Sequence, residues 1–463
     1  MSSLRVRPVA GQNRTAFRLE SRLFQPRFRI MPIAVIESLD HEGRGVARVD
    51  GKAVFIEGGL PGETVEYTVY RQRPTYEQAE AVCVLRPSAQ RVNPRCPSFG
   101  TCGGCSMQHL DADAQAAAKQ RVLEEALKRV GKVRPEMIYP AIHGPAWGYR
   151  YRARIGVRMV PSKGGVLIGF HERRSSYIAD IQSCSVLPPH VSAMLPRLHE
   201  LIGALSIPDR LPQIEIAVSE HTTVLVFRNL LAFSKADAAL LESFAEAESV
   251  QVWQQQGGPE TARLMFPRKA PGLAYTLPEF GVSLDFLPTD FTQVNVHINR
   301  LLIRRSMQLL DPQPGERIAD LFCGLGNFSL PIARRGAQVI GVEGSDTLVA
   351  RALDNARRNG LAQLTAFHAA NLFDTTEDSL AALGPLDKLL IDPPREGAIA
   401  VVKAISEQQR PRRIVYVSCN PATLARDAAV LVHDKGYVLR GAGIANMFPQ
   451  TSHVESIALF EQA

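Results

Sequence analysis

Five apolar runs separated by amphipathic, helix-length segments lie between Glu316 and Ser418, and this alternation constrains the chain more than any other feature. The runs are Glu316–Cys323, Gln338–Val342, Leu364–Ala370, Lys388–Ile391 and Arg413–Ser418, and a helical segment, Asn295–Leu310, leads into them. Strands that alternate with helices pack stably as a mostly parallel sheet with helices on its faces. Ligands of such sheets bind at the carboxyl ends of the strands. The polar residues just beyond each run are therefore the first candidates for a site.

The first run ends in Gly324-Leu325-Gly326-Asn327, a helix is expected over Phe328–Arg335, and Glu343 closes the second run. A glycine turn lets the backbone approach a ligand closely, and an acid at the end of the next strand can accept hydrogen bonds from ribose hydroxyls. Three positions after Gly326 stands Ser329, so the full G-x-G-x-x-G of a dinucleotide site is not met. A nucleoside cofactor without a pyrophosphate, such as S-adenosylmethionine, fits better. Asn371 and Asp392 end the third and fourth runs, and Pro393-Pro394-Arg395 stiffens the second of these ends. The fifth run delivers Cys419-Asn420-Pro421 to the same edge. A cysteine over a cofactor pocket is a candidate nucleophile, with a core thiol as the competing reading. Cys83 and Cys323, inside apolar runs, read as packing residues. Glu455 begins the last apolar strand and is one candidate base among several acids.

At 463 residues the chain is too long for one ordinary core. Residues 31–87 read as five short strands punctuated by Gly58-Gly59 and Pro61-Gly62, which suggests a small barrel of a kind that binds nucleic acid. An amphipathic helix is expected over Asp111–Val130, followed from Gly148 to about Phe286 by strand-rich sequence with interspersed helices. The organisation expected is a basic arm at 1–28, a barrel at 29–88, a central domain at 89–290 and an α/β domain at 291–463. The arm holds seven arginines against one acid by residue 29 and has no apolar core, so it is not a secretory signal.

The net charge of +7 fits a nucleic acid, an anionic membrane surface or neither. No apolar run is long enough to span a bilayer. Charge placement says more. In Gly148–Val160, Arg150, Arg152, Arg154 and Arg158 share one face of an alternating strand, a pattern suited to a row of phosphates. Seven cysteines without a secretory signal suggest a reducing cytoplasm. Cys96, Cys102 and Cys105 fall within ten residues, and with Cys184 they could hold zinc or a [4Fe–4S] cluster. The isolation of Cys184 tilts the choice toward iron–sulfur.

F-T-Q-V-N (291–295), D-L-F-C-G-L-G-N-F (320–328), I-D-P-P-R-E-G (391–397), S-C-N-P-A-T-L-A-R-D (418–427) and H-V-E-S (453–456) together resemble the class I RNA 5-methyluridine methyltransferase family. Within it, the resemblance is to RlmD-type 23S rRNA (uracil-1939-C5)-methyltransferases, from about residue 30 onward. It implies a Rossmann-like methyltransferase sheet, an N-terminal TRAM barrel and a central α+β iron–sulfur domain. It puts the S-adenosylmethionine contacts on Gln293, Phe322, Asn327, Glu343, Asn371 and Asp392, the nucleophile on Cys419 and the base on Glu455. It puts [4Fe–4S] ligands on Cys96, Cys102, Cys105 and Cys184, and it sets the helix after the cysteine cluster against the catalytic domain. RNA 5-methylcytosine enzymes carry a cysteine where this chain has Asp392-Pro393-Pro394. The expected partner is 23S rRNA, met by a cytoplasmic monomer with no membrane contact. The alternatives are another rRNA or tRNA uridine, or an RNA-binding scaffold without catalysis.

Overall fold

The computed structural model describes residues 31–463, so the arm expected at 1–28 lies outside the described residues. The chain begins with β1 (Ile33–Val35), β2 (Ser38–Leu39), β3 (Gly45–Val49), β4 (Lys52–Glu57), β5 (Thr64–Gln72) and β6 (Tyr76–Arg86). They form one six-stranded sheet in the order β1-β5-β6-β4-β3-β2. Ala34, Ile36, Ala47, Val54, Ile56, Val65, Tyr67 and Ala79 point from alternate strand positions into a small core of their own. Two residues are too few to show a period, which is why β2 escapes a sequence reading. Glu63 fastens the end of this sheet to the following linker, accepting from Arg91 Nε at 2.6 Å and from Leu60 N at 2.8 Å.

Asp111 caps α1 (Ala112–Ala126) through its side chain, and a wider turn continues to Gly131. Ala116, Leu123 and Leu127 pack with Leu424, Ala425 and Ala428, so this helix seats on the C-terminal part of the chain. β7 (Met137–Ile138) then adds to the far edge of the C-terminal sheet.

A second six-stranded sheet comprises β8 (Arg152–Val160), β9 (Gly165–Gly169), β10 (Gln213–Val218), β11 (Thr223–Arg228), β12 (Gln251–Gln255) and β13 (Arg263–Phe266), in the order β13-β12-β11-β10-β8-β9. The helices α2 (Pro189–Ala204) and α3 (Lys235–Glu248) contribute to its core through Leu195, Leu198, Leu241 and Phe244. The hairpin β14 (Leu273–Leu277) and β15 (Val282–Phe286) joins a separate core shared with Val224, Val226 and the C-terminal domain.

This middle region corrects the expectation of an iron–sulfur domain. Cys96, Cys102, Cys105 and Cys184 do line one cavity, but its volume is about 20 Å3, room for roughly one water molecule. Among the described residues, no group of three or more His, Cys, Asp or Glu side chains is arranged to hold a metal ion. Burial pushes the Cys105 thiol up to about 12 and raises Cys102 and Cys184. Cys184 is buried and Cys96, Cys102 and Cys105 are half-buried as free thiols, and neither a [4Fe–4S] cofactor nor a metal-binding role is supported. Short spacing brings thiols near one another without fixing their geometry.

The C-terminal sheet is built from β16 (Arg317–Leu321), β17 (Gln338–Glu343), β18 (Thr365–Ala369), β19 (Lys388–Ile391), β20 (Arg413–Ser418), β21 (Tyr437–Ala445) and β22 (Glu455–Gln462). With β7 the order is β18-β17-β16-β19-β20-β22-β21-β7. The first five run parallel, and β22 is antiparallel to both β20 and β21. Strands such as β19 and β20 are buried on both faces, as apolar, β-branched runs of a parallel sheet require. Among the described residues no helix is long and apolar enough to cross a membrane.

Candidate active site

The antiparallel return of β22 creates the central juxtaposition. Ser418 pairs with Ser456, so Cys419 leaves β20 at the same end at which Glu455 enters β22. Asp392 follows β19, the neighbour of β20 on the other side, and its N–H donates to Leu321 O at 3.2 Å. Cys419, Glu455 and Asp392 thus gather because β19, β20 and β22 meet at one edge of the sheet.

Their electrostatics are dominated by burial and like charge. Burial, then the proximity of Asp392, raises the Glu455 carboxyl well above its usual range. Burial takes Asp392 up to about 7. Asp320, in β16, also rises to about 7 through burial, despite a hydrogen bond from Ser329 Oγ at 2.5 Å to its Oδ2. Its Oδ1 is buried without a partner. Burial and the charges of Glu455 and Asp392 push the Cys419 thiol up to about 12, opposed by Arg395. Among the described residues Glu455, Asp392 and Asp320 make no ion pair, so the set fits a cationic ligand with a sulfonium and an ammonium group.

The glycine turn closes this side of the site. Phe322, Gly324 and Gly326 have φ of +66°, +55° and +99°. Positive φ is uncommon for a residue with a bulky side chain, and Phe322 is held there as its N–H and that of Cys323 both donate to Val342 O. Glu343 accepts from Gly324 N and Ser345 N, each at 3.1 Å, so the acid braces the turn. Asn327 is locked in a reciprocal amide pair with Asn299 at 3.0 Å and accepts from Tyr275 Oη at 2.8 Å. Asn371 is exposed and bonds to Asp374 and Phe373 N. Gln293 is half-buried and has no side-chain hydrogen bond among the described residues. Phe373, whose ring lies 5.8 Å from that of Phe322, adds an exposed aromatic wall. Neither Phe373 nor Asp320 was singled out by sequence reasoning, although Asp320 opens the 320–328 motif.

Cys419 opens onto a cleft of about 750 Å3 whose walls include Asp40, His41 and Phe55 of the N-terminal sheet, Arg121, Glu125 and Arg129 of the α1 segment, and Arg395 and His453. Arg395 Nη2 donates to His453 Nδ1 at 3.0 Å. Burial and the charges of Arg395, Lys119 and Arg150 hold the imidazole down to about 4, which keeps it a neutral acceptor. Cys323 is buried, its Sγ 2.9 Å from the position a Cβ on Gly341 would take. Cys83, read as packing, is instead exposed on β6.

The arginine row divides. Arg152 donates to Asp290 O at 2.7 Å and its other amino group is buried without a partner. Arg154 is exposed but paired with Glu215 at 2.9 Å. Arg150 stacks 5.3 Å from the Phe170 ring, whereas Arg158 is exposed with no ion pair among the described residues.

Comparison with known proteins agrees with this architecture. The TRAM domain family matches residues 34–82, and the tRNA (Uracil-5-)-methyltransferase family matches residues 113–463. The 23S rRNA (uracil(1939)-C(5))-methyltransferase RlmD of Azoarcus sp. (strain BH72) is 79% identical over 432 residues, covering 93% of this chain and 100% of the relative. The protein of the same description from Thiobacillus denitrificans is 63% identical over 431 residues, with the same coverage of 93% and 100%. In fold, the chain is similar to the crystal structure of Pyrococcus abyssi tRNA (uracil-54, C5)-methyltransferase in complex with S-adenosyl-L-homocysteine, with a TM-score of 0.71 at 24% identity, covering 92% of this chain and 99% of that one. By family match and by identity along nearly its whole length, the chain belongs to the tRNA (uracil-5-)-methyltransferase family and, within it, to the RlmD-type 23S rRNA (uracil(1939)-C(5))-methyltransferases.

Proposed function

We infer that this protein methylates carbon 5 of a uridine in 23S rRNA, uridine 1939 by its relatives' specificity, with S-adenosylmethionine as methyl donor and Cys419 as covalent catalyst. The observation that carries the residue roles is the meeting of Cys419 and Glu455 at adjacent strand ends, beside buried acids that lack a cation. Carbon 5 of uracil is a weak nucleophile. Attack of the Cys419 thiolate on carbon 6 moves the ring's π pair into an enolate and makes carbon 5 electron-rich. S-adenosylmethionine supplies an electrophilic sulfonium methyl group; carbon 5 bonds to this methyl as its bond to sulfur breaks, and S-adenosylhomocysteine leaves. Glu455 then takes the carbon 5 proton, the C–S bond breaks, the ring double bond re-forms and the thiolate leaves.

Gln293, Phe322, Asn327, Glu343, Asn371 and Asp392 are the residues we assign to the donor, with Asp320 supplying negative charge behind them. Positive charge gained beside Asp392 stabilises its carboxylate and that of Glu455. Arg395 favours the thiolate of Cys419. The target base must leave its stack for carbon 6 to be reached, and the cleft over Cys419 has the size to receive it. Arg150, Arg154 and Arg158 take backbone phosphates, and Arg152 braces their strand. With 23S rRNA as its substrate, we expect the enzyme to act in the cytoplasm as a monomer.

Incubation with S-adenosylmethionine and a 23S rRNA fragment containing uridine 1939, followed by nucleoside analysis, should yield 5-methyluridine at that position. Cys419→Ala should lower turnover at least ~10^4-fold while RNA affinity stays within about twofold. Retained methylation by that variant would exclude the covalent route.

A further inference from the structure

The segment from Asn446 to Val454 connects β21 to β22 and delivers His453 and Glu455 to the site. It contains no helix or strand, yet Asn446, Met447, Pro449, Gln450 and Thr451 are buried. Buried irregular backbone needs hydrogen-bond partners from elsewhere. Helix α1 supplies a large share of them. Gln115 Nε2 donates to Gln450 Oε1 at 3.0 Å, and Gln450 N donates back to Gln115 Oε1 at 2.8 Å. Lys119 Nζ donates to Asn446 Oδ1 at 2.6 Å and to Phe448 O at 2.8 Å. Tyr149 Oη reaches Pro449 O at 2.7 Å, and Ser106 N and Met107 N donate to Gln450 O. Gln450 itself sits at φ +68°, a left-handed conformation that side chains disfavour.

Lys119 is the telling residue. It is 2% exposed and makes no ion pair among the described residues. Burying an amine without a carboxylate is costly, and burial here lowers it to about 7. An apolar side chain of similar length would fill the same space without that cost. What the lysine adds is N–H donors, and they bridge two points of the segment that precedes Glu455. The opposite side of the same helical segment, through Arg121, Glu125 and Arg129, lines the cleft over Cys419.

We propose that Gln115 and Lys119 are positioning residues for the proton-abstraction step: from α1 they hold residues 446–454 in the shape that sets Glu455 against carbon 5 of the adduct. The helix then joins the wall that meets RNA to the loop that carries the base. This inference rests on the reading of Glu455 as that base. Misplacement of a catalytic group by about 1 Å can cost on the order of 100-fold in rate.

The test compares Lys119→Met, Gln115→Met and Glu455→Gln with the unaltered enzyme, using S-adenosylmethionine and the 23S rRNA fragment, each variant first checked for cooperative thermal unfolding. Denaturing gels report the protein–RNA adduct, and steady-state kinetics report kcat and KM. Both α1 variants should keep KM for RNA within about twofold, lose roughly 10- to 100-fold in kcat and accumulate methylated adduct, as Glu455→Gln does. Should Lys119→Met fail to fold, Gln115→Met carries the same expectation alone. Unchanged kcat in a folded variant overturns the proposal. So does loss of adduct formation together with turnover, because the clamp would then serve Cys419. If Glu455→Gln accumulates adduct and the α1 variants do not, the clamp alone is wrong. If Glu455→Gln forms none, the base assignment falls and the clamp falls with it.

Discussion

A single buried carboxyl illustrates how function is set against stability in this chain. Asp320 rises to about 7 because burial disfavours its charge, whereas in the unfolded chain it titrates near 4. Its folded form therefore binds the proton more tightly. The stability this contributes is complete below about pH 4 and is lost as pH rises through about 7. Asn at this position keeps an acceptor for Ser329 Oγ and never ionises. In the ligand-free protein, Asp320→Asn should match the unaltered chain at pH 4 and be more stable at pH 8, by at most about 4 kcal/mol. The same variant should bind S-adenosylmethionine more weakly, since a carboxylate facing the cation is gone. Thermal midpoints across pH 4–8 with and without S-adenosylmethionine test both statements. Equal midpoints for the two proteins at pH 8 would mean that Asp320 is not strained by its burial.

At the scale of elements, strand ends were the legible part of the sequence. Arg413–Ser418 and Lys388–Ile391 announce themselves as β-branched and apolar, and whatever follows such strands in an open α/β sheet sits at its ligand edge. Cys419, Asp392 and Glu343 could be placed from that alone, whereas Glu455, one candidate base among several acids, was singled out only by the family motif. Partnerships across long sequence separation were not legible: nothing local to Lys119 announces Asn446, and nothing local to Arg152 announces Asp290 O. The same limit applies to Cys96, Cys102, Cys105 and Cys184, whose spacing suggested a metal that their packing does not support. On β8 the alternation was correct, with Ala153, Ile155 and Val157 buried, but it could not show which arginines were already engaged. Arg158, exposed and without an ion pair among the described residues, is the clearest probe of the row. Arg158→Ala should weaken RNA binding at low salt and reduce the slope of log affinity against log salt by about 1. Arg152→Ala should instead lower the thermal midpoint. An unchanged salt slope for Arg158→Ala would remove β8 from the RNA path.

At the scale of the whole molecule, the cleft over Cys419 depends on how the N-terminal sheet is carried. That sheet has its own core and meets the cleft through Asp40, His41 and Phe55. It seats on the α1 segment through Leu39 and Leu60, which pack with Met107, Leu110, Ala114 and Ala118, and a further attachment, besides Glu63 with Arg91, is polar. Glu57 is buried, accepts from Tyr70 Oη at 2.6 Å, and lies 3.2 Å from Arg173 and 3.8 Å from Arg174 of the central domain. Arg174 also pairs with Glu80 at 3.0 Å and stacks 4.3 Å from the Tyr70 ring. The pairs are partly exposed, so each contributes little alone, and their value lies in fixing one domain against another. Loosening them widens the distribution of cleft shapes without touching Cys419, Glu455 or the donor site. RNA binding then bears the cost of restoring the closed arrangement, while chemistry within the bound complex is unaffected. Glu57→Ala should raise KM for RNA about fivefold, the equivalent of ~1 kcal/mol, and leave kcat at saturating RNA unchanged. A fall in kcat with KM intact would place the N-terminal sheet in the chemical step rather than in the seating of the substrate.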